Sequence, residues 1–253
     1  MKSAINDLFD KVYVLTIGRN ADRHPLVNAM LQHTNFEFWY GFDAGAHFPL
    51  KKYVSEIDAP FFLQHNVDRD FAISSTIGQF GAYLSIKKMI DHIAASDYKK
   101  VLIFEDDAKA TRANWEKILY HSLQELPDDW DILMAGYFYD GGLYKYACHR
   151  KARPFINLYN TLRRLNNSNK GIKKLPVKFS AHLDRSGYST GGHAYCLSNK
   201  GAKLLSWNLN PMRDSGDLLF SRLVTEQQIN SFSVYPGLFI QNRDFASKTD
   251  IPC

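Results

Sequence analysis

Apolar positions along this chain alternate between short β-branched runs and stretches with a helical period, the pattern of parallel strands joined by crossover helices. Lys11 to Ile17 (KVYVLTI) predicts a first strand that stops at Gly18. Asp22 to His33 follows as a helix, with Pro25 near its start, where a fixed φ suits the first turn. Phe36 to Tyr40 predicts a second strand closed by Gly41. Residues 78 to 95 carry Phe80, Tyr83, Leu84, Ile90, Ile93 and Ala94 at the spacings of one apolar helix face, with Tyr83 and Leu84 read as core. Lys99 to Phe104 (KKVLIF) is a short buried strand that runs directly into Glu105, Asp106 and Asp107. A helix from Asn114 turns Trp115, Ile118, Leu119, Ser122 and Leu126 inward, and Trp130 to Ala135 predicts a further strand.

From Gly141 to Leu183 the rhythm breaks into basic residues, an NNSNKG run and few periodic apolar positions, and reads as a long excursion. Regular structure returns with a strand at His193 to Leu197 and a helix at Lys200 to Trp207. A helix at Ser215 to Ile229 capped by Ser215 and a last strand at Ser231 to Tyr235 follow. No internal repeat is present. The pattern predicts a single α/β domain over residues 1–253, interrupted by the excursion at 141–183.

Composition changes this picture in two places. Hydrophobic residues at 45% and charged residues at 23% are ordinary globular values, which excludes a disordered or fibrous chain. No apolar run is long enough to span a bilayer, and the opening MKSAINDLFD carries acids where a signal peptide would be apolar, so a cytoplasmic location is expected. Cys148, Cys196 and Cys253 include no CxxC pair, which argues against a disulfide framework or zinc knuckle and predicts reduced, structural thiols. The charge is uneven. Residues 141 to 183 hold ten Lys and Arg and no acid; removing those ten from the total of 31 leaves 21 against 26 acids in the remainder. A basic patch on an acidic body suits an anionic partner, and a solvated loop kept soluble by its charge is the plainer alternative.

Ligands of an open α/β sheet bind beyond the carboxyl ends of its strands, where loops and helix N-termini collect. Glu105, Asp106 and Asp107 fall on that edge. Packed carboxylates raise one another's pKa, and a divalent ion removes the conflict; oxygen ligands suit Mg²⁺ or Mn²⁺. Glu105 and Asp107, at alternate positions of an extended chain, share a side, and Asp106 points the other way. A solvated acidic turn is the competing reading, and the triplet alone does not separate sugar transfer from phosphate hydrolysis.

The chain resembles glycosyltransferase family 25, the group of lipooligosaccharide and procollagen galactosyltransferases. The matching elements occur in order over nearly the whole length. They are VYVLTIGRNADR with Arg19, Asp22 and Arg23, the turn FDAG at 42–45, and Gly78, Gly81 and Ser85 opening a helix. VLIFEDDA, WDILMAG, TGGHAYCLSNKGAKLLSW, DSGDLLF and VYPGLFIQ follow. The resemblance implies a GT-A type, Rossmann-like nucleotide-sugar transferase fold with a mixed, mainly parallel central sheet flanked by helices. It also implies a nucleotide-sugar donor, often UDP-galactose, a metal at the EDD cluster (a DxD-like motif), and transfer with inversion. The glycine segment departs from the family's GEIGCxLSH at Gln79, Ala82 and Ile86, which leaves the donor sugar open, and the excursion has no counterpart among the motifs.

Inverting transfer needs a base for the acceptor proton and neutralisation of the leaving diphosphate. Asp217, at a predicted helix start, is the first candidate base and Asp214 the second; electrostatic support of the helix N-terminus is the competing role for either. His193 joins Glu105 and Asp107 as a candidate metal ligand, or contacts the diphosphate, although a lone His is more often structural. Thr16, Arg19, Arg23, Gly78, Gly81, Glu105, Asp106 and Gly192 are the candidate donor-binding residues, the guanidinium groups for phosphate or base and the glycines for close backbone approach. Trp39, Trp115, Trp130 and Trp207 read as packing residues. The expected partners are a UDP-sugar and a glycan acceptor in lipooligosaccharide or other surface-glycan synthesis. The basic excursion suits a phosphorylated, lipid-linked acceptor or an anionic membrane face; no nucleic-acid motif accompanies it. Two other readings stand beside this one: a Mg²⁺-dependent phosphotransferase, although no GxxxxGK[ST] loop is present, and a nucleotide-sugar-binding protein without turnover.

Overall fold

A computed structural model of the chain describes residues 5–54, 68, 75–139, 142–166, 173–214 and 216–242. In chain order the elements are α1 (Ile5–Leu8), β1 (Lys11–Thr16), α2 (His24–Met30), β2 (Glu37–Tyr40), α3 (Ala44–His47), α4 (Ile77–Ala95), β3 (Lys100–Glu105), β4 (Ala108–Ala110), α5 (Trp115–Gln124) and β5 (Ile132–Phe138). Then come α6 (Arg153–Leu165), β6 (Val177–Lys178), β7 (Leu183–Arg185), β8 (Thr190–Ser198), α7 (Asn199–Asn208), α8 (Gly216–Thr225), β9 (Ser231–Val234) and β10 (Phe239–Gln241). The strands form one mixed sheet in the order β2-β1-β3-β8-β5-β9-β7-β6, with β10 paired to β5 and β4. β1, β2, β3, β5, β9 and β10 share one direction, and β8 runs antiparallel between β3 and β5. The α/β layering expected from the sequence is therefore present.

The apolar runs become strands because both faces of the sheet are covered, so residues pointing either way gain by burial. Val12, Val14, Leu102, Phe104, Leu133, Ala135 and Cys196 face a core closed by α1, α2 and α5. Their neighbours Tyr13, Val101, Ile103, Ile132, Met134, Tyr195 and Leu197 face the opposite core under α4, α7 and α8. Cys196 is a free thiol whose burial pushes its pKa up, as a packing role requires; Cys148 is free and exposed. Cys253 lies outside the described residues.

Several boundaries differ from the sequence reading for local reasons. The stretch expected as one helix from Asp22 is a 3-10 turn over Gly18–Arg23 followed by α2, with Pro25 in the first turn of α2. α4 starts at Ile77 because Thr76 and Gln79 form a reciprocal capping box, which also gives Gln79, a departure from the family pattern, a structural purpose. α8 spans Gly216–Thr225, and the proposed cap Ser215 lies outside the described residues. Trp207 is 81% exposed and does not pack, unlike Trp115 and Trp130; it lies on the outward side of α7, two residues past the buried Leu205.

The excursion contains a helix, α6, where the sequence reading expected irregular chain. Arg150 and Arg153 both bind the fully buried Asp184 of β7, with Nε to Oδ1 at 2.9 Å and Nη2 to Oδ2 at 2.5 Å, and Arg150 stacks on Tyr235. Three of the segment's features thus tie it to the sheet. Its returning end is held by Glu125 after α5, which accepts from Ser180 Oγ and the His182 backbone N–H and contacts His182 Nδ1. Burial alone would raise the Glu125 carboxyl; the bonds from His182 and Ser180 together hold it below its ordinary value.

Candidate active site

Because β8 is antiparallel to its neighbours, its first residues lie beside the last residues of β1, β3 and β5. The register pairs Leu15 with Glu105, Phe104 with Ala194 and Phe138 with Thr190. That edge opens into a cleft of about 310 Å³, lined among others by Thr16, Arg19, Arg23, Glu105, Asp107 and His193. Gly78, Gly81 and Asp106 line it too, whereas Gly192 does not and its neighbour Gly191 does.

One ligand atom from each of Glu105, Asp107 and His193 falls within 4.8 Å of the others. His193 Nδ1 lies 3.2 Å from Glu105 Oε2, its ring is buried, and Phe138 stacks on it at 5.5 Å and 19°. Gln241, at the end of β10, donates to Asp107 Oδ2 at 3.1 Å. Asp107 Oδ1 is buried and accepts no hydrogen bond among the described residues. Burial raises the Asp107 pKa, against lowering from Gln241, His193 and Arg23; the like charge of Asp106, the cause expected from the sequence, is a smaller contribution. A carboxylate oxygen desolvated without a donor is costly, and a cation shared by two carboxylates and an imidazole would remove that cost.

Asp106 does point away from this group. Its carboxylate is buried and accepts from Thr16 Oγ1 at 2.7 Å, Asn20 Nδ2 at 2.8 Å and Arg23 Nη1 at 2.5 Å. The guanidinium of Arg23, also buried, reaches Asp107 Oδ2 at 3.7 Å. Thr16, Arg23 and Asp106, assigned to the donor from sequence, thus bind one another and fix where β3 ends. Asn20 belongs to the same knot, and its only sequence signal was its place between Arg19 and Arg23.

Arg19 is the more exposed of the two arginines. It pairs with Asp43 at 3.1 Å and crosses Gly45, where an added Cβ would lie 2.3 Å from its Nη1. The FDAG turn is therefore the seat of Arg19: Asp43 orients the guanidinium and Gly45 leaves it room. At Gly81 a Cβ would meet Ala44 Cβ at 2.9 Å and the Phe42 carbonyl at 3.1 Å, and Ser85 Oγ accepts from Phe42 N–H at 2.7 Å. Those two residues bring α4 against the turn.

Gly191 has φ +78°, and its Cβ would lie 2.7 Å from His193 Nε2. Gly191→Ala is expected to lower stability by about 1–2 kcal/mol through left-handed backbone strain, read as a drop in urea midpoint. An unchanged midpoint would mean the turn relaxes freely.

The candidate bases are placed less directly. Asp214 accepts from Arg222 Nε at 2.9 Å and does not line the cleft. Asp217 sits in the first turn of α8, and its side chain lies outside the described residues.

A family model described as glycosyltransferase family 25 (LPS biosynthesis protein) matches residues 9–219. The chain belongs to that family. No curated protein matches it. Two solved structures are similar over most of this family 25 chain. A197 from STIV has 11% identity and a TM-score of 0.37, covering 94% of this chain and 95% of its own. Mouse xyloside xylosyltransferase 1, apo form, has 8% identity and a TM-score of 0.34, covering 92% of this chain and 78% of its own. The matched span of this glycosyltransferase includes the whole Thr16–Asp106 knot, Glu105, Asp107, His193 and Asp217, but not Gln241. Among the described residues no helix is long and apolar enough to cross a membrane.

Proposed function

We propose that this glycosyltransferase transfers a hexose, galactose being the first candidate, from a UDP-sugar to a hydroxyl of a glycan acceptor, with inversion and with a divalent cation, in surface-glycan synthesis. The observation that carries the reading is the convergence of Glu105, Asp107 and His193 in one cleft beside Arg19. Two carboxylates with one imidazole fit Mn²⁺ better than Mg²⁺, which prefers an all-oxygen shell. A cation held there would neutralise the negative charge that develops on the departing diphosphate.

The chain's own residues supply the remaining work. Arg19, oriented by Asp43, presents a planar guanidinium to the diphosphate. The Thr16–Asn20–Arg23–Asp106 knot holds the end of β3, so the neighbouring carboxylates reach the cleft with little freedom left to lose. Phe138 and Ile86 present apolar surface on the cleft wall, which limits water at the reacting centre. Asp217 takes the acceptor proton; Asp214, held by Arg222, is the less suited of the two acids.

A donor panel monitored by heat stability tests the reading. UDP-galactose is expected to stabilise the protein only with Mn²⁺ present. Stabilisation by no UDP-sugar under either condition would defeat it, and release of UDP without a lengthened glycan would favour hydrolysis instead. Asp217→Asn is expected to lower transfer by about 10²- to 10⁴-fold while the donor still stabilises the protein. Transfer close to wild type would place the base elsewhere.

A further inference from the structure

The helix α6 buries the wrong side for an ordinary surface helix. Arg153, Ile156 and Asn160 face inward, where Asn160 Oδ1 accepts from Tyr144 OH at 2.7 Å and Ile156 packs with Tyr144, Ala147 and Leu175. The outward side carries Phe155, Leu158, Tyr159, Leu162 and Leu165, at 75%, 59%, 40%, 53% and 74% exposure. Their spacing of three, one, three and three residues places all five on one stripe, opposite the buried one. A contiguous apolar stripe left in water marks a contact surface.

Charge decides what that contact is. Arg163 lies over the ring of Tyr159 at the edge of the stripe, Lys151 and Lys178 are exposed in the same segment, and the whole segment 141–183 contains no Asp or Glu. Leu, Phe and Tyr on one side of a helix, flanked by cations and without acids, is the combination that lies in the interface of an anionic bilayer. Attachment is firm at the other end, because Arg150 and Arg153 clamp Asp184 in the sheet. The insertion also leaves the sheet directly after Phe138, a residue of the cleft wall. We propose that α6 docks this protein peripherally on an anionic lipid surface, its apolar stripe in the acyl boundary and Arg163, Lys151 and Lys178 toward the headgroups. The inference does not depend on the donor, metal or base, since binding is read without turnover.

The test is co-sedimentation of the full chain with vesicles of phosphatidylcholine with and without phosphatidylglycerol, together with sedimentation velocity in the absence of lipid. Binding to the anionic vesicles is expected to exceed binding to the neutral ones and to weaken with salt. The double substitution Leu158→Glu, Leu162→Glu is expected to weaken it by on the order of tenfold or more at an unchanged melting temperature. Because those positions are exposed the fold should survive; should it not, Lys151→Ala and Lys178→Ala provide a second route, at about fivefold each. Equal binding to both vesicle types, or binding indifferent to all of these substitutions, overturns the proposal. So does a dimer that fails to bind vesicles and dissociates in the double variant, since the stripe would then meet a second copy of the chain.

Discussion

Asp107→Ala is expected to reduce transfer about a thousandfold, the effect of losing several kcal/mol of charge stabilisation on the leaving diphosphate. Asp107 is one of two carboxylates in the candidate cation group, and its buried Oδ1 accepts no hydrogen bond among the described residues; substitution removes that ligand atom together with the Gln241 hydrogen bond and the longer Arg23 contact at Oδ2. Folding stability should barely fall and can rise. Burial raises the pKa of this carboxyl, which means the folded state favours its protonated form and the ionised form is a liability to the metal-free protein. Steady-state transfer assays with Mn²⁺ and a calorimetric Mn²⁺ titration of the variant check this together. Transfer within a few-fold of wild type, with Mn²⁺ binding intact, would remove Asp107 from the site.

Its neighbour should behave in the opposite way. Asp106→Ala is expected to cost about 3–5 kcal/mol of unfolding free energy, because it leaves the buried guanidinium of Arg23 without the carboxylate that it faces at 2.5 Å. Thr16 and Asn20 lose their acceptor in the same step. Activity should fall as well, but through loss of order at the end of β3, so that the defect grows with temperature as the folded fraction drops. Chemical denaturation measures the cost directly. A loss below about 1 kcal/mol would show that the knot is dispensable, since surface pairs reach only that range.

The contrast between these two adjacent acids shows how far a single sequence reaches. Alternation along an extended chain predicts that Asp106 parts from Glu105 and Asp107; it does, although Asp106 and Asp107 form the turn between β3 and β4 rather than extended chain. What it cannot supply is the company each side keeps. Asp106 meets Thr16, Asn20 and Arg23 only because β1 pairs in parallel with β3 and aligns Leu15 with Glu105. Thr16, Arg23 and Asp106, all assigned to the donor, thus bind one another while still lining the cleft, and Arg19 is the more exposed of the two guanidinium groups there. Gln241 escaped the sequence reading for a similar reason. It lies 134 residues from Asp107 and meets it only because β10 folds back between β4 and β5. The sequence points to Gly192 beside His193, but a backbone angle shows that Gly191 is the one that needs to be glycine.

The excursion gives the converse lesson. Periodicity is a dependable signal when an apolar stripe faces a core, and α4, β3 and β8 were legible on that account. In α6 the core side is Arg153, Ile156 and Asn160, two of them polar, while the apolar stripe looks outward. The helical spacing of Phe155, Leu158, Tyr159, Leu162 and Leu165 is present in the sequence beneath the charge; that the stripe faces outward is not.

Local pattern and composition are enough to give the alternation of strands and helices, the acids at the end of KKVLIF and the uneven charge. Tertiary structure alone decided that the antiparallel β8 carries His193 to the ends of its neighbours, and that one acid of three is consumed in holding the others. Such matters rest on strand order and register, which are set by contacts between residues far apart in the chain.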